Sequence, residues 1–223
     1  MKRLLMTSLL SISFASPALA ADLTNDFDQR HEACLESIAT DAETAYEDAL
    51  AWRGDGGGRR AKHCIAMALF ALGQPDEAAF KLDALATAPD GGDDAMRANF
   101  YSEAANFWLE SNEPERAYAS ASAGLKLAYD HLDLRVARAR AYAATGRYDY
   151  AQTDLTSVLT LDPSRADALR YRADAHLQQG ALEAAKSDIE AALSIDDTIV
   201  ETALLRGRIN EAIRLKALEV VSE

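Results

Sequence analysis

From Ala21 onward, small and apolar residues recur at helical spacing, and runs of β-branched residues are absent. The pattern also repeats at long range. The stretch RARAYAATGRYDYAQTDLTSVLTLDP aligns with RYRADAHLQQGALEAAKSDIEAALSIDD, so that Gly146 recurs as Gly180, 34 residues on. Ala139 and Ala173, Ala151 and Ala185, Asp154 and Asp188, Val158 and Ala192, Leu159 and Leu193, and Leu161 and Ile195 keep the same interval. Arg138, Arg172 and Arg206 extend it into a third half-unit. Each unit predicts two amphipathic helices joined by a tight turn, with small residues where the two must approach closely.

The turns carry their own signals. Gly146 and Gly180 suit the left-handed position that ends a helix. Asp162-Pro163-Ser164 predicts the end of one unit and the cap of the next, and Thr40 with Glu43 and Thr198 with Glu201 have capping-box spacing. A single helical hairpin leaves its apolar face uncovered, so successive hairpins must stack to bury it.

These features resemble the tetratricopeptide-repeat family, whose unit is a 34-residue helix-turn-helix with small residues at fixed places and a closing proline. Residues 132–165 carry Tyr142, Ala151, Leu155 and Pro163 at family positions. Residues 166–199 carry Ala173, Ala185 and Ala192 but have Asp197 where proline is usual. Residues 98–131 fit through Tyr101, Ala105, Trp108 and Ala117, and residues 59–92 through Ala66, Leu69, Gly73 and Ala78, with five inserted residues near PDGGDD. Residues 21–58 read as a degenerate helical pair followed by a glycine-rich link, and 200–223 as a closing helix. The resemblance implies an all-α, right-handed solenoid whose concave face is lined by the first helix of each pair. Family positions place Asn99, Ser102, Asn106, Leu109, Val136, Arg140, Ala143, Arg170, Asp174, Leu177, Leu204 and Arg208 on that face. Asn106 stands at one place of the family's clamp for a C-terminal carboxylate, but Ser102 replaces the clamp lysine.

The first twenty residues depart from the amphipathic pattern. Lys2 and Arg3 precede an apolar run from Leu4 to Phe14, and Ala18-Leu19-Ala20 supplies an A-x-A cleavage site, so residues 1–20 read as a cleavable secretory signal. The expected location is the periplasm, with full secretion as the alternative. Removing the signal leaves 21 basic against 36 acidic residues, a net charge of −15. That argues against nucleic acid and anionic lipid as partners, and nothing after Ala20 is long and apolar enough to span a membrane. In an oxidising compartment Cys34 and Cys64 predict a disulfide, which closes a loop worth roughly 3.5 kcal/mol on the chain-entropy model.

The stretch AWRGDGGGRRAKHC, residues 51–64, is the first with chemical character. A P-loop needs a preceding strand and a Gly-Lys-Ser/Thr opening, and neither is present. Gly54 to Gly58 read as a flexible link between helical pairs, with Arg59 and Arg60 near a helix start that could attract an anion. His31-x-x-Cys34 and His63-Cys64 make a Cys₂His₂ metal site arithmetically possible, but pairing of the thiols is the preferred reading and no metal or cofactor is expected. No catalytic motif appears, and the chain is read as non-enzymatic.

The arginines divide in two. Strict periodicity assigns Arg138, Arg172 and Arg206 to an internal ladder with carboxylates such as Asp154 and Asp188. Arg140, Arg170 and Arg208 remain for the groove, where guanidinium can hold a carboxylate or phosphate. The expected function is an interaction module that binds a peptide or helix of a partner protein in a groove formed by Asn99, Asn106, Arg140, Arg170, Asp174 and Arg208. The alternative is an anionic envelope polymer or small anionic ligand held by the same arginines. Oligomeric state stays open.

Overall fold

A computed structural model describes residues 17–222, and within them the chain forms eleven α-helices and no strand. They are α1 (Pro17–Ile38), α2 (Ala42–Gly54), α3 (Gly58–Ala71), α4 (Pro75–Thr87), α5 (Asp94–Glu110), α6 (Pro114–Leu127), α7 (Leu132–Ala144), α8 (Tyr148–Leu161), α9 (Ala166–Gln178), α10 (Leu182–Ile195) and α11 (Val200–Ser222). All but the last four residues of the expected signal lie outside the described residues.

Each helix packs on the next, and odd-numbered helices also pack on one another: α1 on α3, α5 on α7, α7 on α9 and α9 on α11. Two layers result, odd helices in one and even helices in the other, as in an α-solenoid. Alanine sets the spacing. Ala66, Ala105, Ala139 and Ala173 in the odd layer and Ala78, Ala117, Ala151 and Ala185 in the even layer are fully buried. No larger side chain would let the two helices of a hairpin approach so closely. Leu82, Leu155 and Ile189 fill the space between successive hairpins.

The hairpin turns follow from backbone sterics. Gly73, Gly146 and Gly180 take φ of 76°, 75° and 72°, the left-handed region that glycine enters without a Cβ penalty. Asn112 holds the corresponding turn at φ 58°, because asparagine tolerates that region better than other residues do.

Several capping expectations are corrected. The α2 cap is Asp41, whose carboxylate accepts from the Thr44 amide, while the Thr40 hydroxyl donates to the Ser37 carbonyl. The Thr198 hydroxyl turns back to donate to the Asp196 carboxylate, where a cap would face forward and accept from an α11 amide. Ser164 likewise binds back to Asp162, and Arg165 occupies the cap position of α9. A short acidic side chain two residues upstream captures the hydroxyl before the helix can.

The glycine-rich link is also shorter than the sequence suggests. Gly54 ends α2 and Gly58 begins α3, leaving three residues between. A Cβ on Gly57 would lie 2.7 Å from the Cβ of Ala61 and 2.8 Å from the Trp52 ring. The stretch is therefore a packed turn, fixed by the approach of Trp52, and not a loose tether.

Candidate functional site

Two arginines of the repeat are committed to the interior. Arg138 on α7 makes two bonds of 2.7 Å to Asp154 on α8, and Arg172 on α9 makes bonds of 2.7 and 2.8 Å to Asp188 on α10. Both aspartates are buried, and each fork joins the two helices of its own hairpin. Hydrogen bonding to the carboxylate raises the pKa of both guanidinium groups above the ordinary value. The third expected rung fails. Arg206 is exposed on α11 and makes no ion pair among the described residues, since no helix there follows α11 as α8 follows α7.

The groove arginines behave differently. Arg140 donates to the Asn106 side-chain carbonyl at 2.7 Å, and its other nitrogen stands 3.5 Å from Glu110. Its guanidinium lies 5.2 Å from the centre of the Tyr171 ring, while that of Arg170 lies 4.3 Å from the same ring. Arg170 makes no ion pair among the described residues, and its Nε is buried without a hydrogen-bond partner. Farther along, Arg208 meets Asp174 at 3.4 Å beside an open cavity of about 360 Å³ that Arg170, Tyr171 and Leu204 also line. Asn106, Arg140, Arg170, Asp174 and Arg208 thus form one strip across α5, α7, α9 and α11. No mark in the sequence singles out Tyr171 at its centre. Ser102 and Val136 do not line this strip, being 8% and 6% exposed and packed between helices.

Asn99 belongs to a second site, two helical turns along α5. His131 uses Nδ1 to accept from the Leu134 amide, so its Nε2–H donates to Asn99 at 2.9 Å. Asn99 lines a cavity of about 480 Å³ with Arg59, Arg60, His31, His63 and Glu103. The His63 Nε2 stands 2.8 Å from the Glu103 carboxylate, and its Nδ1 stands 2.9 Å from the His31 Nε2. A carboxylate only accepts, so Glu103 fixes the direction: His63 donates to Glu103 and His31 donates to His63. Burial, and then the neighbouring His63 and Arg60, push the His31 pKa down to about 4. Arg60 pairs with Asp28, whereas Arg59 makes no ion pair among the described residues. The start of α3 beside them has no side-chain cap.

Cys34 and Cys64 form a disulfide between α1 and α3, with Cα atoms 6.3 Å apart. The two histidines beside them bond each other, and among the described residues no group of three or more His, Cys, Asp or Glu is arranged to hold a metal ion.

Comparison with known proteins agrees with this geometry. A tetratricopeptide-repeat family model matches residues 172–198. No curated protein matches the chain. Among solved structures, YrrB, described as a TPR protein with an unusual peptide-binding site, aligns with a TM-score of 0.60 at 17% identity over 77% of this chain and 86% of its own. A double mutant of MamA from RS-1 aligns at 0.58 and 18% identity over 69% and 83%. The first TPR of Spaghetti (RPAP3), bound to an HSP90 peptide, aligns at 0.51 and 23% identity over 55% and 97%. At these identities the likeness establishes the fold.

Proposed function

We propose that this chain, which has the tetratricopeptide-repeat fold, is a non-catalytic interaction module whose inner layer binds a peptide or helix of a partner protein. The observation that carries the reading is the Arg140–Tyr171–Arg170 stack. Two guanidinium groups flank one ring, and Arg170 keeps a buried donor without a partner. The Nε is shut off from solvent, so an incoming carboxylate or carbonyl would meet the outer guanidinium nitrogens, which hold no ion pair among the described residues. With Leu204 beside Arg170 and Arg208, the strip suits a segment that mixes acidic and apolar residues. Two of the similar folds are described with peptides or a peptide-binding site.

The module is proposed to act in the periplasm after removal of residues 1–20. The basic start, the short apolar run and the Ala18-Leu19-Ala20 site support export, and the Cys34–Cys64 bridge suits an oxidising compartment. Mass spectrometry of the protein recovered from the periplasm reads this directly, through an N-terminus at Ala21.

Screening against an array of acidic–apolar peptides, followed by fluorescence anisotropy, tests the groove. Arg170→Ala is expected to weaken the best peptide about tenfold or more, as loss of a central arginine anchor does, while Arg206→Ala leaves it unchanged. Equal affinity of Arg170→Ala and the parent protein refutes the groove. The cavity beside unpaired Arg59 favours a second reading, a small anionic ligand or polymer. That mode predicts steep weakening with salt and dependence on Arg59 rather than Arg170.

A further inference from the structure

Helix α11 differs from the other odd helices in what it leaves uncovered. Leu205, Ile209 and Ile213 pack toward Ala185 and Ile189 of α10. A second stripe, Leu204, Arg208, Glu211, Leu215 and Leu218, follows the 4-3-4-3 spacing of a helix-pairing seam and occupies about 80° of the helix surface. Its members are open to solvent: Leu204 is 64%, Leu215 48% and Leu218 55% exposed, and the side chains of Arg208 and Glu211 are 58% and 52% exposed.

We propose that this stripe docks on α11 of a second copy of the same chain, antiparallel, about a two-fold axis passing between Ile209 and Asn210. The argument is self-complementarity. The stripe reads Leu–Arg–Glu–Leu, so reversing its direction sets Leu204 against Leu215 of the second copy and Arg208 against Glu211 of the second copy. By symmetry each contact occurs twice. By the same pairing the Leu218 side chain of each copy arrives opposite Glu201 of the other, at the mouth of the cavity of about 360 Å³ that Tyr171, Glu201 and Leu204 line, so the dimer covers the α11 end of the inner strip. In the single chain Arg208 has only a 3.4 Å contact to Asp174, and Glu211 pairs within its own helix with Arg214. Both are exposed pairs of small worth that can be exchanged for contacts across the interface.

Charge does not oppose pairing on this helix. The whole chain carries −13, which opposes self-association. Residues 200–222 hold four basic and three acidic side chains, a net of +1, so two copies meet here without that repulsion. One helix pair buries less than a standard interface, so the dimer is expected to be weak and concentration-dependent.

Sedimentation equilibrium of the mature chain tests the proposal, with circular dichroism confirming that each variant keeps the parent helicity. The parent protein is expected to dimerise in a concentration-dependent way. Arg208→Glu and Glu211→Arg each set like charges face to face at both symmetry-related contacts and should weaken the dimer at least tenfold. The double variant Arg208→Glu/Glu211→Arg restores opposite charges and should recover it. Leu215→Lys should abolish it. A parent protein that stays monomeric at several hundred micromolar overturns the proposal, and so does a double variant no better than its singles.

Discussion

Asp154 shows how much depends on one side chain. It is 5% exposed, and Arg138 satisfies it with both arms of its fork. Removing Arg138 leaves the buried Asp154 carboxylate without its two hydrogen bonds and with Arg135 at 3.7 Å as its remaining cation. Arg138→Ala is therefore expected to cost about 3 kcal/mol or more in urea unfolding, whereas Arg138→Met with Asp154→Leu should lose far less. His31 makes a different prediction. Its folded-state pKa of about 4 lies below the ordinary histidine value of 6.5, so the unfolded chain takes up its proton first as pH falls. The stability it contributes is complete above about pH 6.5 and is lost as pH falls toward about 4. Thermal unfolding followed across that window should fall less steeply for His31→Gln than for the parent protein. An identical slope removes His31 as the source of that pH dependence. Some of this was legible in the sequence. The 34-residue interval separated Arg138 and Arg172 from Arg140 and Arg170. Arg206 kept the interval but lacks a partner helix among the described residues, and periodicity cannot register that. Glu103 carried no signal, because its approach to His63 depends on how two hairpins stack.

At the scale of elements, the turns were legible where glycine marks them and hidden where another residue does the same work. Gly146 and Gly180 announce the left-handed position, whereas Asn112 adopts it at φ 58° without the glycine signature. The caps were misread for a related reason: at 196–198 and 162–164 a neighbouring aspartate takes the hydroxyl that sequence spacing assigns to the helix. The disulfide is the cross-link between elements that can be tested most simply. It ties α1 to α3 across a sequence separation of 30 residues. Reduction should lower the unfolding free energy by about 3.5 kcal/mol on the chain-entropy model. Hydrogen exchange should place the first loss of protection in α1, which packs chiefly on α2 and α3. Uniform loss along the chain would show that α1 is not a separate cooperative unit.

For the whole molecule, stacking creates the chemistry. No single hairpin contains a site: Asn106, Arg140, Tyr171 and Arg208 come from four helices, and only the shared inner layer brings them into one strip. The fold could be read from the repeat because burial forces the same small residues into every unit. The ligand could not, because the groove positions are free of that constraint and vary from unit to unit.

The central claim is that a partner's segment lies along the inner layer. Site-specific photocrosslinking in cells tests it most directly, with the reactive group at Arg140 or Arg170 inside the groove and at Lys186 on the exposed side of α10. The account predicts one partner segment captured at Arg140 and Arg170 and not at Lys186. Capture of the same segment at Lys186 with none at the two arginines would contradict it.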